Sequence, residues 1–98
     1  MSQSPEQTLP VLHILNKVPD QPRFRACLQS VSSSDTLVLI EDGVIALSDE
    51  GQTLPEHCLA LADDVRARGL SEKTPDARLI DHAALVELTV QHSRIICW

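Results

Sequence analysis

The order of apolar and polar positions divides the chain into short alternating blocks. The sharpest is Leu37-Val-Leu-Ile40, entered from Ser32-Ser-Ser-Asp-Thr36 and stopped by Glu41-Asp42-Gly43. Four consecutive apolar residues between turn signals predict a strand buried on both faces, which is how a parallel strand reads in sequence. A buried helix segment gives the same run, but the abrupt acidic-glycine stop favours the strand. Glu41 and Asp42 then fall at its carboxyl end, where open α/β sheets place their working groups.

The blocks on either side follow the same logic. Val11–Leu15 predicts a first strand, closed by the turn formers of Asn16–Asp20 and by Pro22. From Arg23 the period changes: Phe24, Cys27, Leu28 and Val31 recur at helical spacing, which predicts a short amphipathic helix. Val44–Leu47 is an apolar patch too short to predict a helix, and a polar loop runs from Ser48 to Glu56. Cys58–Ala62 predicts a third strand. Asp63 is then placed to cap a brief helix, Asp64–Arg68, with Gly69 closing it. Ala77–Ile80 predicts a fourth strand, Asp81 the cap of the clearest helix, His82 to about His92, and Ile95–Trp98 a last strand. Strands alternating with helical segments predict an α/β fold: one three-layer, Rossmann-like domain over residues 11–98, with a mainly parallel sheet of about five strands. Met1–Pro10 is polar and is expected to be a flexible N-terminal lead.

The last helix carries two apolar arcs. At 100° per residue, Ala84, Leu85 and Leu88 share one arc of about 100°, while Ala83, Val86 and Val90 share a second on the opposite side. One arc suffices to pack on a sheet, so the other needs a cover. In a chain this short the expected cover is a partner subunit, with a neighbouring element of the same chain as the alternative.

Composition narrows the class. Ninety-eight residues, 43% apolar, suit one domain, and with aromatics at only 2% the core must be built from Leu, Val, Ile and Ala. A net charge of −6 without a Lys/Arg cluster argues against direct nucleic-acid binding. No apolar stretch approaches the roughly 20 residues that span a bilayer, and the first residues lack a signal-peptide pattern. Three cysteines without paired spacing fit free thiols in a reducing compartment, so a cytoplasmic location is expected, with no membrane partner.

The candidate chemistry is sparse. Cys27 lies on the helix predicted from Arg23. Arg23, one turn earlier, is placed to favour its thiolate, yet Cys27 also lies on the apolar stripe of its helix, where free cysteine commonly packs. Cys58 and Cys97 read as core residues. There is no Cys-x-x-Cys, and His13, His57, His82 and His92 show no zinc spacing, so neither a redox pair nor a metal site is expected. Glu41 and Asp42 lack a companion nucleophile, and the three glycines form neither a dinucleotide loop nor a P-loop. No cofactor is expected.

Four blocks carry a resemblance. Leu12-His13-Ile14-Leu15-Asn16-Lys17-Val18-Pro19 resembles the opening of the TusB/DsrH family of sulfur-relay proteins, and Leu39-Ile40-Glu41-Asp42-Gly43-Val44 resembles that family's central segment. Leu61, Asp64 and Ala67-Arg68-Gly69-Leu70 match a third block. Ile80-Asp81, Val86-Glu87-Leu88-Thr89, His92 and the final Trp98 match a fourth. The resemblance implies a DsrE/F/H-type α/β fold and a non-enzymatic subunit that carries sulfur or supports the assembly. It implies TusC/DsrF-like and TusD/DsrE-like partners in a heterohexamer with two copies of each, and sulfur-transfer proteins upstream and downstream. The implied task is passage of persulfide sulfur toward 2-thiolation of the tRNA wobble uridine. The alternative within the family is a DsrEFH-type complex of dissimilatory sulfur oxidation; a small stand-alone thiol enzyme is the alternative of another class. Ala26-Cys27-Leu28 sits where DsrH-like members carry a cysteine, which makes Cys27 the candidate persulfide carrier, although the assembly's principal acceptor lies on the TusD/DsrE-like subunit. The chain departs from the family at Ile45, Leu59, His82 and Leu85, where Tyr, Tyr, Tyr and Phe are common, and Asn16-Lys17-Val18 replaces the usual Asn-Lys-Ser.

Overall fold

A computed structural model describes residues 9–98. The expected N-terminal lead therefore lies, for Met1–Thr8, outside the described residues. Five strands, β1 (Leu12–Leu15), β2 (Thr36–Leu39), β3 (Cys58–Leu61), β4 (Leu79–Ile80) and β5 (Ile95–Cys97), form one sheet in the order β4-β3-β2-β1-β5. Every pairing is parallel, with Leu12 opposite Thr36, Leu37 opposite Cys58, Ala60 opposite Leu79 and His13 opposite Ile96. The strand from the sharpest apolar run is thus the middle of the sheet, and Leu37, Val38 and Leu39 are fully buried on its two faces.

The helices are α1 (Pro22–Ser30), α2 (Ala62–Ala67) and α3 (His82–Gln91). Pro22 opens α1, where its missing N–H costs nothing. Phe24 and Cys27 point from it into the core, with Leu28 and Val31 packed beside them. The patch Val44–Leu47, which predicts nothing firm in sequence, belongs to a 3-10 segment, Glu41–Ser48, that buries Gly43, Val44 and Ala46.

Two cap expectations divide. Asp81 caps α3, its Oδ1 accepting the Ala84 N–H at 2.8 Å. Asp63 does not cap α2: the helix starts at Ala62 directly after β3, Leu61 takes the N-cap place, and Asp63 sits in the first turn, pairing with Arg66 at 2.9 Å. Gly69 closes α2 as expected. Its φ of +69° lets Leu70 N–H reach the Val65 carbonyl at 3.0 Å and Gly69 N–H reach that of Arg66 at 3.1 Å, while Val65 and Leu70 meet in the core.

The two faces of the sheet are covered unequally. Right-handed crossovers that step from β1 to β4 in sequence put α1, the 3-10 segment and α2 on one face. The crossover from β4 back to β5 puts α3 alone on the other. The first face holds Leu15, Leu37, Leu39, Cys58 and Ala60 in a core with Phe24, Cys27, Val44, Val65 and Leu70. Truncating a ring as deep as Phe24 in such a core costs about 3–5 kcal/mol. On the α3 face Leu12 and Val38 are buried by the strands around them, but Ile14 and Leu59 are only half-buried, and α3 has no buried residue.

Candidate functional site

Cys27 is completely buried. Burial, reinforced by the nearby Cys58 thiol, pushes the Cys27 thiol up to about 12, so at neutral pH its thiolate is about five orders of magnitude scarcer than the thiol. Arg23 does not offset this. Its guanidinium lies over the Trp98 ring, 5.4 Å from the ring centre. Cys58 is 2% exposed, and burial pushes it up to about 11 against the opposing pull of Arg78, whose Nη1 also donates to the Cys58 carbonyl at 2.7 Å. Cys97 departs from the core reading. Because β5 is an edge strand with an open flank, Cys97 is exposed, the one solvent-facing thiol among the described residues.

The carboxyl edge of the sheet holds Glu41 and Asp42, and each has a partner. Asp42 Oδ1 accepts from Arg68 at 2.9 Å. Glu41 Oε1 accepts from Asn16 Nδ2 at 3.3 Å, and the Glu41 N–H donates to Asp64 Oδ2 at 2.7 Å. Glu41 reaches this arrangement with a φ of +50°, an uncommon conformation for a residue with a β-carbon. Gly43 follows because the chain passes so close to the end of β1 that a β-carbon there would stand 2.3 Å from the Leu15 carbonyl oxygen. The acid–glycine turn is therefore a joint between β1, β2 and α2, its two carboxylates each paired at the surface.

A third cluster is invisible in sequence. His13, on the middle of β1, is 1% exposed and its Nε2 lies 2.9 Å from Asp35 Oδ2. Asp35, at the entry to β2, also accepts the Val11 N–H and the Ser32 N–H, both at 2.9 Å. Burial alone would push its carboxyl up, but the two amides and the His13 ring outweigh that and hold it below its ordinary value. From the far end of the chain, Trp98 Nε1 donates to His13 Nδ1 at 3.1 Å, the two rings 21° apart in plane. Lys17 Nζ bridges Asn16 Oδ1 at 2.6 Å and the Trp98 backbone oxygen at 3.0 Å. The sequence separations of 22 and 85 residues leave no local signal. The available hints were a histidine within an apolar strand and the Ser32-x-x-Asp35 turn before another.

The remaining feature is a surface. On α3, Val86 is 60% and Val90 75% exposed, with Ala83 also exposed, while Ala84, Leu85 and Leu88 of the opposite arc are half-buried toward the sheet. Ile95, at 41%, and Cys97 extend the apolar surface onto β5. Among the described residues no helix is long and apolar enough to cross a membrane, and no group of three or more His, Cys, Asp or Glu is gathered to hold a metal ion.

Fold and site together describe a small α/β protein in which Cys27 is buried, Glu41 and Asp42 are paired, and an apolar face stands in solvent. The profile of the family described as "DsrH like protein" matches residues 18–95. Protein TusB of Yersinia pestis (strain Pestoides F) is 35% identical over 95 residues, spanning 90% of this chain and 100% of that one. Protein TusB of Yersinia pseudotuberculosis serotype O:1b (strain IP 31758) matches to the same extent. The solution NMR structure of protein Tm0979 from Thermotoga maritima superposes with a TM-score of 0.63 at 28% identity, covering 83% of this chain and 92% of that one. The chain belongs to the TusB/DsrH family.

Proposed function

We propose that the chain is a non-enzymatic subunit of a sulfur-relay complex, of the kind that passes persulfide sulfur toward 2-thiolation of the tRNA wobble uridine. The observation that carries this reading is the contrast between withdrawn chemistry and exposed surface. Cys27 and Cys58 are buried with thiols held protonated, whereas Val86, Val90 and Ile95 stand in solvent on the thinly covered sheet face. A chain so built contributes a docking surface rather than turnover. Its partners in this reading are TusC/DsrF-like and TusD/DsrE-like subunits, two copies of each in a heterohexamer, with sulfur-transfer proteins before and after it, working in the cytoplasm. Cys27 is a conditional persulfide acceptor, reached only when α1 opens away from the sheet. The acidic net charge of −6 leaves tRNA contact to other components.

One observation favours the sulfur-oxidation version of the family: the cysteine in Ala26-Cys27-Leu28. The discriminating experiment removes the gene and measures 2-thiouridine in bulk tRNA alongside oxidation of reduced sulfur. Thiolation should fall and return with the wild-type gene. Unchanged thiolation with impaired sulfur oxidation would overturn the first reading in favour of the second.

A further inference from the structure

The two ring nitrogens of His13 play opposite parts. An indole nitrogen only donates, so the 3.1 Å contact from Trp98 Nε1 requires a bare lone pair on His13 Nδ1. The ring proton therefore sits on Nε2, where it is donated to Asp35 Oδ2 at 2.9 Å. Trp98 is bound by the neutral ring alone. It is also the anchor at the end of β5, a three-residue edge strand whose side chains are all exposed. The other ties of this segment are the β1 ladder, including Leu12 N–H to Arg94 O at 2.9 Å and Trp98 N–H to Ile14 O at 2.8 Å, the Lys17 bridge, and the Trp98 ring itself, which packs against the edge of the core beneath the Arg23 guanidinium.

We propose that the His13–Trp98 bond is a proton-operated latch on β5: protonation of His13 turns Nδ1 from acceptor to donor, expels the indole N–H and loosens the last strand while His13 stays bonded to Asp35. The charged groups around the ring permit this. Asp35, from the entry to β2, is anionic and in direct contact, so an imidazolium at this depth has a bonded counter-charge. Opposing it are Arg94, lining the same cleft just before β5, Arg23 from α1 over the Trp98 ring, and Lys17 on the Trp98 backbone oxygen. The strand neighbours Leu37 and Ile96 are apolar, and Ser30, Ser32 and Ser34 bring only uncharged side chains. A cleft of about 290 Å³ between His13, Asp35, Arg94 and Trp98 gives the displaced indole somewhere to move. Because Ile95 and Cys97 lie on β5, the latch would set the order of half of the exposed apolar face. That consequence rests on the docking reading above; the latch itself is a property of the isolated chain.

The test uses the isolated chain, in which Trp98 is the only tryptophan and tyrosine is absent. Tryptophan fluorescence and acrylamide quenching are followed beside the far-ultraviolet circular dichroism as the protein is acidified stepwise from about pH 8 to the first change in circular dichroism. Quenching should rise with acid at constant circular dichroism, with the Trp98 indole N–H exchanging about tenfold faster relative to the intrinsic rate, and His13→Gln should abolish both changes. A quenching profile flat in the wild type, or a transition retained in His13→Gln, overturns the latch. Nitrogen-15 shifts of the His13 ring in the wild type decide it even where the variant does not fold: protonated Nε2 and bare Nδ1 at the alkaline end are expected, and the reverse tautomer overturns it. A latch without effect on assembly would count against the docking reading alone.

Discussion

Gly43 and Leu15 meet where two strands end: a β-carbon on Gly43 would sit 2.3 Å from the Leu15 carbonyl oxygen and 3.1 Å from its carbonyl carbon. Both obstructing atoms are backbone, so neither can swing aside as a side chain would. Gly43→Ala is accordingly expected to cost at least about 2–3 kcal/mol, the upper range for overpacking. Urea unfolding checks this, and a loss below about 0.5 kcal/mol, typical of an unconstrained surface site, would mean that the two segments do not approach this closely. Gly51, with only an Asp49 side-chain oxygen at 3.4 Å, is the control that should tolerate alanine.

The Asp35 cluster predicts a specific acid response. The folded-state carboxyl is held below its unfolded value, so its contribution to stability is present in full above the ordinary carboxylate range and is lost as pH falls through the depressed folded value. Asp35→Asn should lose about 1–3 kcal/mol at neutral pH, because it removes the acceptor of the His13 Nε2 proton or of a backbone amide. The deficit relative to wild type should shrink as the wild-type carboxylate protonates. A deficit independent of pH would contradict the assignment.

How much of this was legible in advance differs by kind of interaction. The strand Leu37–Ile40 and the helix capped by Asp81 are local patterns, a short apolar run and a polar cap before a periodic stretch, and both stand where the sequence puts them, within a residue or two. The two arcs of α3 follow from helix geometry alone, and Val86 and Val90 are indeed exposed. The 3-10 segment was not legible, because Glu41–Ser48 is shaped by the Gly43 approach to Leu15 and by Asp64, both distant in sequence. Asp63 failed as a cap because β3 runs into α2 without a loop. Cys97 was misplaced because an apolar terminal strand does not announce that it will be an edge. The His13–Asp35–Trp98 cluster needed the fold itself to bring its members together.

Thiol reactivity should follow burial. A disulfide reagent at neutral pH is expected to modify Cys97 within minutes, and Cys27 and Cys58 only at the rate of local or global opening. Mass spectrometry after incubation with a persulfidated donor should then place a slow gain of one sulfur on Cys27, absent in Cys27→Ser. A gain confined to Cys58 or Cys97 would remove Cys27 as the carrier.

The central claim is that the α3 side of the sheet is a docking surface, and the molar mass of the co-expressed complex tests it most directly. The chain is produced with its TusC- and TusD-like partners and analysed by size-exclusion chromatography with light scattering, as wild type and as Val86→Glu and Val90→Glu. Neither side chain supports the fold, exposed as they are at 60% and 75%, so both variants should keep the wild-type circular dichroism and unfolding midpoint. Each should nonetheless elute as a free subunit under conditions where the wild type enters the complex. Variants that still assemble at wild-type mass, or that unfold outright with no folded and unassembled species, would contradict the account.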